Sequence, residues 1–147
     1  MEQILNVSTG KKGFTLIEVL FALSIILITM LGLYKVTEMS MMTNMKNVIR
    51  DEGVKVAQEV INRIKAIPFD NITPASSTPG SQWSTNDLNN NIGYSTVARN
   101  FRQFSVTYTL AVTVTDYSDE VKQIDVTVTW PYKGVNYSHT ISSMVRR

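Results

Sequence analysis

The chain contains no cysteine, which excludes a disulfide framework, a thiolate metal site and a cysteine nucleophile. It has one histidine, His139, too few for a His-rich metal centre and poor material for a Ser-His-Asp triad. It also has no strong excess of either charge. Fourteen basic against twelve acidic residues in 147 give a formal net charge of +2, and a nucleic-acid binder would show a marked basic bias. No direct nucleic-acid partner and no cofactor are expected. Aromatic residues make up 9%, too many for a wholly disordered chain. The mean hydropathy is near zero, but this average mixes a very apolar head with a polar remainder.

The head begins with a mostly polar stretch, Met1 to Gly13, that ends in Lys11-Lys12-Gly13. A run from Phe14 to Tyr34 follows, in which 16 of 21 residues are apolar. As a helix it would be about 31 Å long, close to the ~30 Å hydrocarbon core of a bilayer. The segment can therefore span a membrane. The lysine pair before it places the N-terminus in the cytoplasm by the positive-inside rule. The apolar run exceeds that of an ordinary secretory signal, and Lys35-Val36-Thr37-Glu38 after it offers no small-residue cleavage site. Retention of the segment is expected.

Glu18 is the anomaly. A carboxylate within a membrane segment costs a few kcal/mol on insertion scales, and such residues usually have a functional partner. An inert anchor gains nothing from it. Lys11 and Lys12 are too far away to pair with it easily, so a cation from another molecule is the expected partner.

The stretch Lys11-Lys12-Gly13-Phe14-Thr15-Leu16-Ile17-Glu18-Val19-Leu20 resembles the class III signal of type IV pilins and type II secretion pseudopilins. The resemblance implies cleavage between Gly13 and Phe14 by a prepilin peptidase, with Lys11 and Lys12 as the leader's basic pair. It implies N-methylation of Phe14 and a role for Glu18 in subunit assembly, paired with the new α-amine of its own or a neighbouring subunit. The implied partners are other pilins or pseudopilins in a fibre, the prepilin peptidase, the inner-membrane assembly platform and, before assembly, membrane lipid. Leu31-Gly32-Leu33, the segment Glu59 to Pro68 and the segment Lys122 to Trp130 are most similar to minor pilins of the PilV type and to I-type pseudopilins. Major pilins often carry a C-terminal disulfide, so the missing cysteines lean toward a minor or pseudopilin role.

Beyond Tyr34 the helical pattern continues. Val48, Glu52, Val56, Val60, Arg63 and Ile67 trace one face, with Ala57, Ile61 and Ile64 beside it. Pro68 ends the pattern, so the spacing predicts one helix over Phe14–Ile67, roughly 80 Å long. Gly32 reads equally as a hinge or a close-packing site. Met39, Met41, Met42 and Met45 suit an adaptable surface where the helix leaves the membrane and meets other subunits. From Phe69 to about Arg102 the density of turn formers predicts loop, with Trp83 and Tyr94 pinning it to the domain.

The period then changes to two. Phe104 to Thr115 reads as a half-buried strand and Asp116–Asp119 as a turn. A second strand runs from Val121 to Trp130, its parity slipping near Gln123 as at a bulge. A third follows the Pro131–Gly134 hairpin, with His139 half-buried on its apolar parity. Asp116, Asp119 and Glu120 could offer oxygen ligands to calcium, although a solvated turn is the plainer reading.

The expected fold is α+β: a long N-terminal spine helix, its first half transmembrane, packed on a small antiparallel sheet. The expected divisions are a leader at 1–13, an assembly half of the helix at 14–36, an amphipathic half at 37–67, a loop at 68–103 and a β-meander at 104–147. The expected function is a non-enzymatic minor pilin or pseudopilin of a type IV pilus or type II secretion pseudopilus. It would reside in the bacterial inner membrane with its C-terminal domain periplasmic, and then in the fibre. The alternative is a single-pass anchored binding or sensing module whose match to the signal is fortuitous.

Overall fold

The computed structural model describes residues 13–73, 82–102 and 104–147. Lys11 and Lys12, with the rest of the leader, lie outside them, as does part of the expected loop, 74–81. The elements are helix α1 (Leu16–Lys65), a 3-10 turn (Phe69–Asn71), helix α2 (Thr85–Asn91) and strands β1 (Thr96–Asn100), β2 (Ser105–Ser118), β3 (Val121–Tyr132) and β4 (Val135–Arg146). The chain divides into two units, residues 1–43 and 44–147. In the first, no described residue is buried. The second contains the core.

Helix α1 stops where its chemistry requires. Ala66 N–H is shared between the carbonyls of Asn62 and Arg63, and Ile67 N–H reaches only back to Ile64, so the last turn tightens before Pro68, which has no N–H to give. The helix therefore ends at Lys65 rather than at the expected Ile67. Its buried stripe is Ile49, Gly53, Val56, Ala57, Val60, Ile61 and Ile64. That stripe is rotated from the expected face: Val48 is 53% exposed while Ile49 is fully buried. Gly53 explains the rotation. A Cβ there would lie 2.9 Å from Cζ3 of Trp130, so the indole on β3 can approach only where the helix has no side chain.

The four strands form an antiparallel sheet in the order β1-β2-β3-β4, and its inward residues cover the stripe. Val106, Tyr108, Leu110, Val112 and Val114 alternate inward along β2, as Ile124, Val126, Val128 and Trp130 do along β3. Lys133 and Gly134, at φ 51° and 77°, form the two-residue turn between β3 and β4.

Two expectations about the strands need correction. β2 continues to Ser118, so only Asp119 and Glu120 form the turn to β3. The bulge lies on β2, where the register shifts between Asp116 and Ser118, and β3 pairs with β4 without interruption from Val121 to Tyr132. The apparent slip near Gln123 arises because Lys122 occupies the inward parity. Its Nζ donates to the carbonyls of Phe69, at 3.0 Å, and Ile72.

The stretch expected to be loop contains a helix and a strand. Helix α2 is opened by a reciprocal cap: Asp87 N–H donates to Ser84 Oγ at 3.2 Å, and Ser84 N–H donates to Asp87 Oδ2 at 2.8 Å. Ser84 Oγ also donates to Asp87 Oδ2 at 2.7 Å, and this bond, then that from Ser84 N–H, holds the Asp87 carboxyl below its ordinary range. Strand β1 pairs with β2 from Thr96↔Thr109 to Asn100↔Ser105. Trp83 and Tyr94 do pin this region: Trp83 is buried with Nε1 donating to Thr73 O at 2.9 Å, and Tyr94 packs half-buried against the core.

The interior is closed by aromatics. Tyr108 is fully buried, its hydroxyl donates to Ile49 O at 2.8 Å, and its ring lies 5.8 Å from that of Trp130. Burial, then the nearby Glu52 carboxylate, pushes the Tyr108 hydroxyl up to about 12.

Two outcomes follow from this core. Gly53→Val forces two methyl groups against the Trp130 ring and should destabilise the fold by about 1–3 kcal/mol, seen as a lowered Tm with a Trp fluorescence change. Tyr108 keeps its proton in the folded state above pH 10, where an unfolded tyrosine loses it, so the folded state binds more protons and stability falls as pH rises from about 10 to about 12. Tyr108→Phe should lower stability at neutral pH by about 1 kcal/mol and flatten that alkaline decline, as read from urea midpoints across the window.

Candidate assembly and processing site

The junction expected to be cut lies at the start of α1. Gly13, Phe14 and Thr15 have no regular structure, and the helix begins at Leu16. Thr15 caps it: Glu18 N–H donates to Thr15 Oγ1 at 3.3 Å, and Val19 N–H donates to Thr15 O at 3.2 Å. Thr15 and Glu18 thus stand at the first and fourth positions of a capping-box pattern. The carboxylate of Glu18 occupies the first turn, where the helix dipole favours negative charge. This second reason for a carboxylate at position 18 is written in the sequence as Thr-x-x-Glu before an apolar run.

Phe14, Glu18 and Ala22 follow one another at intervals of four residues, and with Val19 and Leu23 they line a shallow groove of about 290 Å³. Glu18 therefore sits one helical turn beyond Phe14 and on the same side. The groove is open to solvent on an unpacked helix, with Phe14 and Leu16 each 81% exposed.

The other polar side chains of the run are satisfied by the helix itself. Ser24 Oγ donates to Leu20 O at 2.9 Å, Thr29 Oγ1 to Ile26 O at 2.8 Å and Thr37 Oγ1 to Leu33 O at 2.9 Å. Back-bonding of this kind removes hydroxyl donors from contact with an apolar surround. Lys35 and Glu38 pair at 3.0 Å just past the run. Among the described residues nothing pairs with the Glu18 carboxylate. It is the one polar side chain between Leu16 and Tyr34 that the helix carries without a partner for its functional group. Gly32 approaches nothing: a Cβ there would meet no atom within 4 Å, and the helix runs through it unbroken. Met39 and Met41 are exposed, and Met42 and Met45 lie at the edge of exposure.

Residues 8–34 match the model of the prokaryotic N-terminal methylation motif. No curated protein and no solved structure matches the chain. The chain therefore carries a type IV pilin-like prepilin signal, joined to an α+β unit of pilin-like architecture. One helix among the described residues is long and apolar enough to cross a membrane, which with the motif is consistent with a membrane-anchored protein.

The sheet unit contributes no comparable site. Asp116, Asp119 and Glu120 are exposed about the β2–β3 turn. Among the described residues no three His, Cys, Asp or Glu side chains are arranged to hold a metal ion, so the calcium reading of that turn has no ligand cluster. His139 is half-buried on β4. One polar cluster escaped the sequence reading: Arg99 of β1 reaches Glu52 at 3.2 Å and Glu59 at 2.8 Å on α1, and Tyr94 donates to Glu59 at 3.4 Å. Desolvation, then the Glu59 carboxylate, raises the Tyr94 hydroxyl above its ordinary value. These contacts fasten β1 to the helix.

Proposed function

We propose that the chain is a minor pilin or pseudopilin, a structural subunit of a type IV pilus or type II secretion pseudopilus. It would be cut between Gly13 and Phe14 by a prepilin peptidase that recognises the Lys11-Lys12 leader, and N-methylated on Phe14. Residues 14–36 would hold it in the inner membrane, N-terminus inside, and then pack among the same segments of other subunits in the fibre. Residues 37–67 would carry the spine into the periplasmic domain, with 68–103 and 104–147 completing that domain. Its partners would be other pilins or pseudopilins, the peptidase and the assembly platform. The role is structural, not catalytic.

One observation carries this reading: a helix whose apolar half is exposed bears one carboxylate without a partner among the described residues, four residues past Phe14 in a matched methylation motif. A plain anchor needs the apolar surface but not the carboxylate. Cleavage at Phe14 would supply the missing cation on the adjacent turn or on a neighbour. Two charges buried together in a fibre are tolerable, whereas one alone is not.

Co-expression with a prepilin peptidase should shorten the chain by residues 1–13 and add one methyl group at Phe14, both visible by intact mass. An unprocessed chain would favour a single-pass anchored binding or sensing module. Glu18→Ala should leave membrane insertion intact and lower recovery in sheared fibres by roughly tenfold or more. Normal recovery of that variant would refute the pairing role of Glu18.

A further inference from the structure

Where the N-terminal part of the domain helix faces the β3–β4 hairpin, Lys46, Arg50, Trp130, Tyr137, Ser138 and His139 line a notch of about 90 Å³. Lys46 and Arg50 are one turn apart on the same side of α1, a spacing at which like charges repel. The Lys46 ammonium lies 4.7 Å from the centre of the Tyr137 ring, and that ring stacks at 6.4 Å on Trp130. Among the described residues neither Lys46 nor Arg50 has an ion-pair partner, although Lys35, Lys55, Arg63, Arg99 and Arg147 each have one. The notch is therefore a small aromatic-floored recess with two cations at its mouth that have no ion-pair partner, a setting that can take a carboxylate carried beside an aromatic ring.

The matching carboxylates lie at the opposite end of the same sheet. β3 runs from the Asp119-Glu120 turn to the β3–β4 hairpin, roughly 35 Å at ~3.3 Å per residue. At the turn, Asp116, Asp119 and Glu120 surround Tyr117, which the β2 bulge leaves 66% exposed. Of the cations nearby, Lys122 donates to the carbonyls of Phe69 and Ile72 and Arg147 pairs with Asp70, which leaves Arg146, opposite Val121, against the three acids. The domain thus has an acidic, aromatic-tipped projection at one end and a basic recess at the other. Two different complementary patches at opposite ends of one body give a head-to-tail contact, which extends into a filament where the rotation between copies does not close a ring.

We propose that the Asp116–Glu120 projection of one copy docks into the Lys46/Arg50 notch of a second copy, an end-to-end contact between sheet domains. The proposal rests on the fibre-subunit reading, because in an elongating assembly a head-to-tail contact stays open rather than closing into a ring. It adds that the subunit stacks on itself rather than entering the fibre as isolated single copies.

The absence of cysteine provides a clean background for a test in the full-length chain in native membranes. Ser118 lies on the projection and Ser138 on the notch, so Ser118→Cys with Ser138→Cys in one chain should give a ladder of disulfide-linked multimers on mild oxidation. Ser118→Cys with Ser142→Cys, on mid-β4, serves as the control for random collision. In the Ser118/Ser138 background, Lys46→Glu with Arg50→Glu should cut the ladder by about tenfold, as should Asp116→Lys, Asp119→Lys and Glu120→Lys together, and combining the two sets should restore it. A ladder no stronger than the control, or one indifferent to charge reversal, would overturn the contact. If processing and fibre recovery are normal without the ladder, only this contact fails. If the ladder forms in a chain that is never processed, the contact stands and the fibre reading fails.

Discussion

The constraint on which the structure depends is that a peptide backbone removed from water must satisfy its own polar groups. Helix α1 meets it along Leu16–Thr43, where none of the described residues is buried. Backbone bonds close within the helix, and Ser24, Thr29, Thr37 and Thr43 turn their hydroxyls onto carbonyls of the preceding turn. From Leu16 to Tyr34 what remains outward, Glu18 apart, is apolar on every side, which an aqueous surround would penalise and a lipid or helical one would not. The same helix meets a different demand from Asn44 onward. There only one stripe is apolar, because the sheet covers one side and water takes the other.

Glu18 stands apart from this pattern, and its two readings converge. As the fourth residue of a Thr15-capped start, it puts negative charge on the turn whose backbone N–H groups are exposed. If the chain is cut before Phe14, a cationic amine would appear at the positive end of the helix dipole, an unfavourable place for it. A carboxylate one turn further on offsets that charge. The cap orients the first turn, and the offset makes the new terminus tolerable in an apolar surround. Neither role needs a residue elsewhere in the chain, so a short motif can carry both on an otherwise featureless helix.

The sequence was most legible where a single periodicity governed the backbone. The apolar run, the stop at Pro68 and the alternation along β2 were plain because nothing competed with burial. Legibility failed where a polar residue took an inward position for a specific partner. Arg99 occupies the inward parity of β1 to meet Glu52 and Glu59, so five residues of strand looked like loop. Lys122 does the same on β3 to reach the carbonyls after α1, and it imitated a bulge that lies at Tyr117. Helix α2 was hidden by its asparagines, although Ser84 and Asp87 spelled out its cap. The rotation of the helical stripe onto Ile49 depended on Gly53, whose contribution is an absent side chain that no hydrophobic pattern registers. At the N-terminus the methylation motif was legible because its residues form one contiguous word, Lys11 to Leu20, inside the matched span 8–34. The notch was not, because its residues come from three distant segments.

The two edges of the sheet also differ. β1 is short and its inward arginine is tied to the helix, so it offers little to another strand. β4 is twelve residues long and pairs with β3 without a bulge. Between Val135 and Val145 it carries no lysine, arginine, acid or proline, the usual deterrents to edge pairing. A lone exported domain would be expected to blunt such an edge. If the chain is a fibre subunit, neighbouring copies rather than residues of its own would limit what meets that edge. The missing cysteines fit the packing of the interior: a sheet closed by Tyr108, Trp130 and the Gly53 cleft does not depend on a covalent staple.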